Sequence, residues 1–231
     1  MVGKSLDVEN LTVRYGGVVA VREISFSVQP GECVVLLGAN GAGKTSTLHG
    51  IGGLTPATGT IRLGGIPIDS VPADERARAG LGHVLEGRHV FPGLTVRENL
   101  RVAAAAARGR EAVDVRDLLP EIDQFMDRKA GSLSGGQQQM LAIARALAGA
   151  PDVIMLDEPT NGLAPILVDR TTQIIERMRD LGFALLVVEQ RLEVAQRLGG
   201  AVLILRHGEI VHRLRGTDPE LPDLLHAAYL S

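Results

Sequence analysis

A glycine-rich run early in the chain has the pattern of a phosphate-binding loop. It satisfies G-x-x-x-x-G-K-[ST], follows an apolar run and precedes a helix-compatible stretch. Glycines let successive backbone N–H groups turn toward an anion, and a helix N-terminus adds positive potential. The lysine would contact the β- and γ-phosphates, and the threonine hydroxyl would bind Mg²⁺. The predicted contacts to a nucleoside triphosphate are Gly38, Ala39, Asn40, Gly41, Ala42, Gly43, Lys44, Thr45 and Ser46.

Two adjacent carboxylates, Asp157 and Glu158, follow the apolar run of residues 153–156. Side chains alternate along a strand, so neighbouring acids diverge and can take different roles. Asp157 could hold Mg²⁺ directly or through water. Glu158 could polarise a water molecule in line with the γ-phosphate, as a general base that does not bind the metal. On the pair alone, the alternative stays open that both acids cap the following turn, residues 159–162.

The run Leu133-Ser134-Gly135-Gly136-Gln137 opens a strongly helical stretch that extends to Ala148. Ser134 is a good N-cap residue, and two glycines in the first turn leave backbone N–H groups accessible to anionic oxygens. By itself, the run favours the alternative that Ser134 merely caps the helix and that the two glycines are part of the loop.

These three runs, in this order, resemble the nucleotide-binding subunits of ABC (ATP-binding cassette) transporters, in which Leu-Ser-Gly-Gly-Gln is the signature. The resemblance covers nearly the whole chain and implies ATP binding and hydrolysis with Mg²⁺. It also implies two subunits arranged head to tail. Ser134, Gly135, Gly136 and Gln137 of one subunit would then contact the γ-phosphate that the other subunit binds. Tyr15 matches the aromatic residue that stacks on adenine, the alternative being a tyrosine at a strand end.

Three positions depart from the wider family. Glu86 stands where a glutamine usually links the metal site to the membrane partner, Ala164 replaces an aspartate, and Gln190 replaces a histidine that contacts the γ-phosphate. With the ending Ala228-Tyr229-Leu230, they resemble the second ATPase subunit of branched-chain amino acid importers. Glutamine can donate a hydrogen bond but cannot become cationic. We therefore hypothesise that the composite site built on this chain hydrolyses ATP more slowly than its counterpart.

The resemblance predicts an ATPase that energises an importer for branched-chain or related amino acids. Its expected partners are a second ABC ATPase subunit, or a second copy in isolation, two membrane permeases and, indirectly, an external solute-binding protein. No nucleic acid is expected, and the predicted location is the cytoplasmic face of the cell membrane. The alternatives are an importer of urea, amides or other amino acids, and a soluble ABC-type ATPase of an assembly pathway.

Composition agrees with a globular protein and excludes several other classes. The 231 residues carry a net charge of −3, 45% are hydrophobic, and Cys33 is the only cysteine. There is consequently no disulfide framework, no cysteine metal cage and no basic field for nucleic acid. The apolar runs fall far short of the roughly 20 residues that a membrane helix needs, and the N-terminus has no apolar signal core.

The elements that must position these residues form an α/β pattern. Residues 6–15, 24–28 and 58–63 read as strands, and the continuous apolar run 33–37 predicts a strand buried on both faces. Thr95 and Glu98 fit a capping box that opens a helix through Ala107. Strands 153–156, 184–188 and 201–205 then alternate with helices from Pro165 and at 193–198. We predict one P-loop NTPase domain, 1–231, with a mixed or parallel sheet and a small antiparallel β subdomain. Its core would be about 1–74 and 151–231, with a helical insertion at about 75–150.

Overall fold

Two β-sheets organise the chain in the computed structural model, which describes residues 3–107 and 109–230. The strands are β1 Leu6–Tyr15, β2 Val18–Val28, β3 Cys33–Leu37, β4 Ala57–Leu63, β5 Ile66–Pro67, β6 Leu81–Val84, β7 Val153–Asp157, β8 Ala184–Glu189, β9 Ala201–Arg206 and β10 Glu209–Arg215. The α-helices are α1 Lys44–Gly52, α2 Ala73–Ala79, α3 Val96–Ala104, α4 Val115–Leu118, α5 Gly135–Ala148, α6 Pro165–Asp180, α7 Leu192–Leu198 and α8 Leu221–Leu230.

The larger sheet has six strands in the order β10-β9-β3-β8-β7-β6, and only β10 runs antiparallel to its neighbour. Every residue of β3, β7 and β8 is buried, and for β3 the continuous apolar run predicted this. Because these three strands are adjacent and parallel, their carboxyl ends meet at one edge of the sheet. The loops that follow them therefore lie side by side, which is the usual place for a ligand in such a sheet.

The smaller sheet is antiparallel, with the strand order β2-β1-β4-β5, and confirms the predicted β subdomain. Its buried side chains form one hydrophobic cluster with α1 and with one face of the large sheet. The other face of the large sheet shares a second cluster with α5, α6 and the segment around Leu118–Phe125. Helix α1, which follows the phosphate loop, is therefore held between the two sheets.

The predicted helical insertion, about 75–150, contains a strand. Strand β6 pairs in parallel with β7 and forms the edge of the large sheet, so this part of the range belongs to the core sheet. The sequence Leu-Gly-His-Val is short and lacks a clear apolar pattern, so pairing with Val153–Leu156 decides its conformation. The predicted helix through Ala107 is α-helical only to Ala104 and ends in a 3₁₀ turn. Its capping box is confirmed: Thr95 Oγ1 accepts from the Glu98 amide, and Glu98 accepts from the Thr95 amide.

Strand β10 and helix α8 were not predicted from the sequence. Four of the seven residues Glu209–Arg215 are polar or charged, and the strand lies at the edge of the large sheet. Helix α8 buries Leu221, Leu225 and Ala228 against the core. In the part of the chain that the structure describes, none of the helices has both the length and the apolar character needed to cross a bilayer.

Cys33 is a core residue of β3 and is 1% exposed. Burial raises the pKa of its thiol to about 12, so the reactive thiolate is scarce near neutral pH. We expect the folded protein to resist a maleimide or an aromatic disulfide reagent at about pH 8 and to react with one equivalent once it is denatured. Thiol titration with and without denaturant tests this. Rapid labelling of the native protein would contradict the buried position.

Candidate functional site

The phosphate loop lies between the end of β3 and the start of α1, as predicted. Lys44 is 5% exposed, and its Nζ donates to the carbonyl oxygens of Gly38 (2.8 Å) and Ala39 (3.1 Å). The loop thus folds around its own cation at the N-terminus of α1. Both the lysine and the helix N-terminus provide positive potential where a triphosphate would enter.

Gly43 is the N-cap of α1 and needs glycine for two reasons. Its φ of 104° lies in the left-handed region, and a Cβ there would be 2.5 Å from the carbonyl oxygen of Ala20. We expect Gly43→Ala to displace the loop, to weaken triphosphate binding at least about tenfold and to cost about 1–3 kcal/mol of stability. A fluorescent-nucleotide titration and a thermal melt measure both effects. Gly17→Ala is the matched control, because nothing lies within 4 Å of its Cβ position. Wild-type affinity in Gly43→Ala would show that the loop tolerates the clash.

Asp157 ends β7 as a buried carboxylate, 1% exposed. Its Oδ1 accepts from Thr45 Oγ1 (3.1 Å), whereas its buried Oδ2 has no hydrogen-bond partner. Burial raises the pKa of Asp157 to about 6, and repulsion from Glu86 and Glu158 adds to the increase, while the Thr45 hydrogen bond opposes it. A buried carboxylate oxygen without a hydrogen-bond partner and a neighbouring hydroxyl oxygen are ligands of the kind that a hard cation prefers. The residues present therefore fit Mg²⁺.

No group of three or more His, Cys, Asp or Glu among the described residues could hold a metal ion.

Glu158 directly follows β7, and its carboxylate has other hydrogen-bond partners than that of Asp157; because the strand ends at Asp157, strand alternation does not set its direction. Its Oε1 lies 3.6 Å from Lys44 Nζ and accepts from Gln190 Nε2 (2.5 Å), and its Oε2 accepts from Asn161 Nδ2 (2.9 Å). Its side chain is 8% exposed, and its φ of 45° is left-handed, which is strained for a residue with a side chain. The carboxylate is thus held by two amides beside the phosphate loop.

One polar cleft of about 380 Å³ brings half of the predicted site residues together. Asp157 lies behind it, in contact with Thr45. The cleft is lined by Ala20, Asn40, Gly41, Gly43, Lys44, Thr45, Ser46, Glu86, Glu158, Asn161 and Gln190.

Three residues of the predicted loop, Gly38, Ala39 and Ala42, do not line this cleft, and neither do two more distant parts of the predicted site. Tyr15 stands at the end of β1, 47% exposed, with its hydroxyl 3.5 Å from Thr55 Oγ1. Residues 134–137 begin α5, where Ser134 and Gln137 form a reciprocal capping box. Within one chain, the second set of predicted phosphate contacts is therefore separate from the phosphate loop.

The two glycines that begin α5 also have a packing reason that the sequence did not reveal. A Cβ on Gly136 would lie 2.4 Å from Leu167 Cδ1, and one on Gly135 would lie 2.9 Å from the guanidinium nitrogens of Arg88. The side chains of Leu167 on α6 and of Arg88 after β6 thus both approach the start of α5 closely, and a larger residue there would force them to shift.

A family model described as ABC transporter matches residues 21–161, more than half of the chain. The matched range contains the phosphate loop, the signature run and the acidic pair. The chain belongs to the ABC transporter family. As in the sequence prediction, the fold is that of an ATP-binding cassette.

Two relatives and one solved structure illustrate the similarity. The high-affinity branched-chain amino acid transport ATP-binding protein BraG of Pseudomonas aeruginosa is 37% identical over 227 residues, 94% of this chain and 97% of BraG. The Nod factor export ATP-binding protein I of Burkholderia lata is 40% identical over 213 residues, 88% of this chain and 68% of that relative. A bacterial ABC transporter cassette solved as a dimer superposes with a TM-score of 0.80 at 28% identity, covering 91% of this chain and 98% of that one.

The cassette also places residues at the site that sequence reasoning missed. Asn161 donates to Glu158, Glu189 accepts from Thr160, and the Tyr229 hydroxyl of α8 donates to the Gln190 carbonyl (3.3 Å). One sequence signal could have found Glu189, an acid that ends the otherwise apolar run 184–188. The Tyr229 contact joins residues 39 positions apart, so no local pattern indicates it.

Proposed function

We propose that this chain is the ATP-hydrolysing subunit of an importer for branched-chain or related amino acids. The observation that carries the proposal is the similarity to BraG along nearly the full length of both chains. The Nod factor relative is longer, and this chain spans 68% of it. Import is therefore favoured over export. The departures at Glu86, Ala164 and Gln190 support the same branch.

In the proposed mechanism, Lys44 and the N–H groups of the phosphate loop bind the triphosphate. The Thr45 hydroxyl and the Asp157 carboxylate would hold Mg²⁺, which when bound neutralises charge on the β- and γ-phosphates. The buried Asp157 oxygen without a partner supports this assignment. Glu86 lines the same cleft and would complete the metal surroundings or contact a membrane partner.

Glu158 would act as the general base, accepting a proton from the attacking water at a carboxylate oxygen. The Gln190 amide holds this carboxylate with one N–H group and has a second N–H for the γ-phosphate. The Gln190 amide cannot take up a proton as a histidine could, so Glu158 is the proton acceptor in this scheme. The hypothesis of a slow site rests on the same property.

The proposed site is composite and needs a second cassette. Residues 134–137 begin a helix outside the cleft, and a similar cassette was solved as a dimer. We infer that the start of α5 in a partner cassette faces the Lys44 cleft of this chain. The exposed ring of Tyr15 is then available for adenine. Two permeases would hold the pair at the cytoplasmic face of the membrane, with an external solute-binding protein delivering cargo.

The experiment that tests this function starts with a mild-detergent purification of the tagged chain from membranes of its own cells. We expect a second cassette and two multi-span permeases to co-purify. Uptake of radiolabelled leucine, urea and an amide into cells lacking the gene, restored with the wild type or with Glu158→Gln, then identifies the cargo. Recovery of soluble partners only would contradict the importer and favour an ATPase of an assembly pathway.

A further inference from the structure

Glu189 is a buried acid that none of these catalytic steps uses. It is the last residue of β8 and is 2% exposed. A carboxylate taken out of water is costly unless hydrogen bonds compensate its charge. It directly precedes Gln190, so its hydrogen bonds can affect where the Gln190 side chain lies.

The Glu189 carboxylate connects two loops of the site. Its Oε1 accepts from the Thr160 hydroxyl (2.7 Å) and from the Thr160 amide (3.3 Å), and its Oε2 accepts from the Gln190 amide (3.2 Å). Thr160 lies two residues after Glu158 and is fully buried. The two oxygens thus tie the turn after β7 to the turn after β8, at the ends of two adjacent parallel strands.

With two further hydrogen bonds, these contacts connect Glu158, Thr160, Glu189 and Gln190 in a closed ring. Gln190 Nε2 donates back to Glu158 Oε1, and the Glu158 amide donates to the carbonyl of Val188 (3.0 Å). The left-handed backbone of Glu158 is strained and persists only where its surroundings hold it. We propose that Glu189 is a positioning residue that keeps the Gln190 amide on the Glu158 carboxylate during ATP hydrolysis. The inference rests on the proposed role of Glu158 as general base.

Burial raises the pKa of Glu189, and hydrogen bonds from Thr160 and from the amides of Gln190 and Arg191 act in the opposite direction. Each of these donors needs an acceptor oxygen. A glutamine at the position has one oxygen and one NH₂ group, so it would face either Thr160 or the Gln190 amide with a donor. Glu189→Gln therefore breaks the connection between Thr160 and the Gln190 amide at one of its two ends, without changing the size of the side chain.

The test uses the full chain purified with its partner subunits. We expect Glu189→Gln to lower kcat for ATP by roughly 10- to 100-fold, because displacing a reacting group by about 1 Å has effects of this size. KM for ATP should stay within about twofold, since the phosphate loop is untouched. Thr160→Val should lower kcat in the same direction, and Thr160→Ser, which keeps the hydroxyl, should retain it. Glu193→Gln, an exposed acid in the first turn of α7, is the matched control.

A double-mutant experiment with Gln190 tests whether Glu189 positions the Gln190 amide or only stabilises the folded protein. In a Gln190→Ala background, Glu189→Gln should lower the remaining kcat by less than about twofold, because the amide that it holds is already absent. Equal losses in both backgrounds would overturn the inference, as would wild-type kcat in Glu189→Gln. If thermal melting shows that Glu189→Gln is unfolded, the inference is tested by comparing Thr160→Val with Thr160→Ser. Equal kcat in these two variants would overturn it. Turnover in Glu158→Gln equal to wild type would instead refute the proposed role of Glu158 as general base.

Discussion

Replacing Glu158 with glutamine is expected to lower ATP turnover by roughly 10²- to 10⁴-fold, the contribution typical of a positioned general base. ATP affinity should be retained or increase. The carboxylate lies 3.6 Å from Lys44 Nζ, so neutralising it leaves the lysine charge fully available to the triphosphate. The amide keeps nearly the same shape among Gln190 and Asn161. Phosphate release and nucleotide titration on the same preparation measure both quantities.

Glu193→Gln is the matched control for Glu158→Gln. Glu193→Gln makes the same chemical change at an exposed position and should leave turnover unchanged. A further expected result is that ATP-bound cassette pairs accumulate in Glu158→Gln, because binding proceeds and hydrolysis does not. Turnover at the wild-type level would remove Glu158 from the role of base and leave the proton acceptor unassigned.

Replacing Lys44 with alanine is expected to weaken triphosphate binding by about 10- to 100-fold, because a hydrogen bond to a charged group contributes about 1.5–3 kcal/mol. The lysine is the buried cation of the cleft, and its loss also leaves the carbonyls of Gly38 and Ala39 without their donor. The effect should be larger for ATP than for AMP, since the lysine is expected at the β- and γ-phosphates. Titration of both nucleotides measures the difference.

Lys129→Ala is the control for the Lys44 variant, because Lys129 is an exposed lysine of the helical region. It should bind ATP like the wild type. The two variants of the site separate binding from chemistry: Glu158→Gln changes kcat and spares affinity, whereas Lys44→Ala changes affinity first. Equal affinity of Lys44→Ala and wild type for ATP would show that the loop amides alone bind the triphosphate.

Much of the site could be predicted because its chemistry is encoded in short, contiguous runs. The phosphate loop needs glycines, a lysine and a hydroxyl within eight residues, next to a strand and a helix, and all of these are local. The acidic pair, Asp157 and Glu158, directly follows an apolar run, which is also a contiguous pattern. The capping boxes at Thr95 and Ser134 also depend only on residues three positions apart.

Other features escaped prediction because distant contacts decide them. Leu81–Val84 has no strong pattern of its own and becomes a strand by pairing with β7, more than 60 positions away. The absence of a side chain at Gly136 leaves room for Leu167 on another helix. The contacts of Glu189 with Thr160 and of Tyr229 with Gln190 depend on where strand ends and the final helix meet.

By itself, the sequence determined the family, the phosphate loop, the acidic pair and the α/β class, since each depends on residue types at short spacing. The tertiary structure alone decided that Glu158 is held between Lys44, Gln190 and Asn161, and that one oxygen of Asp157 is buried without a partner. It also decided that the start of α5 lies outside the cleft. The physical reason is that adjacent parallel strands bring together residues far apart in sequence, and that burial then sets the hydrogen bonds and the charge of each group.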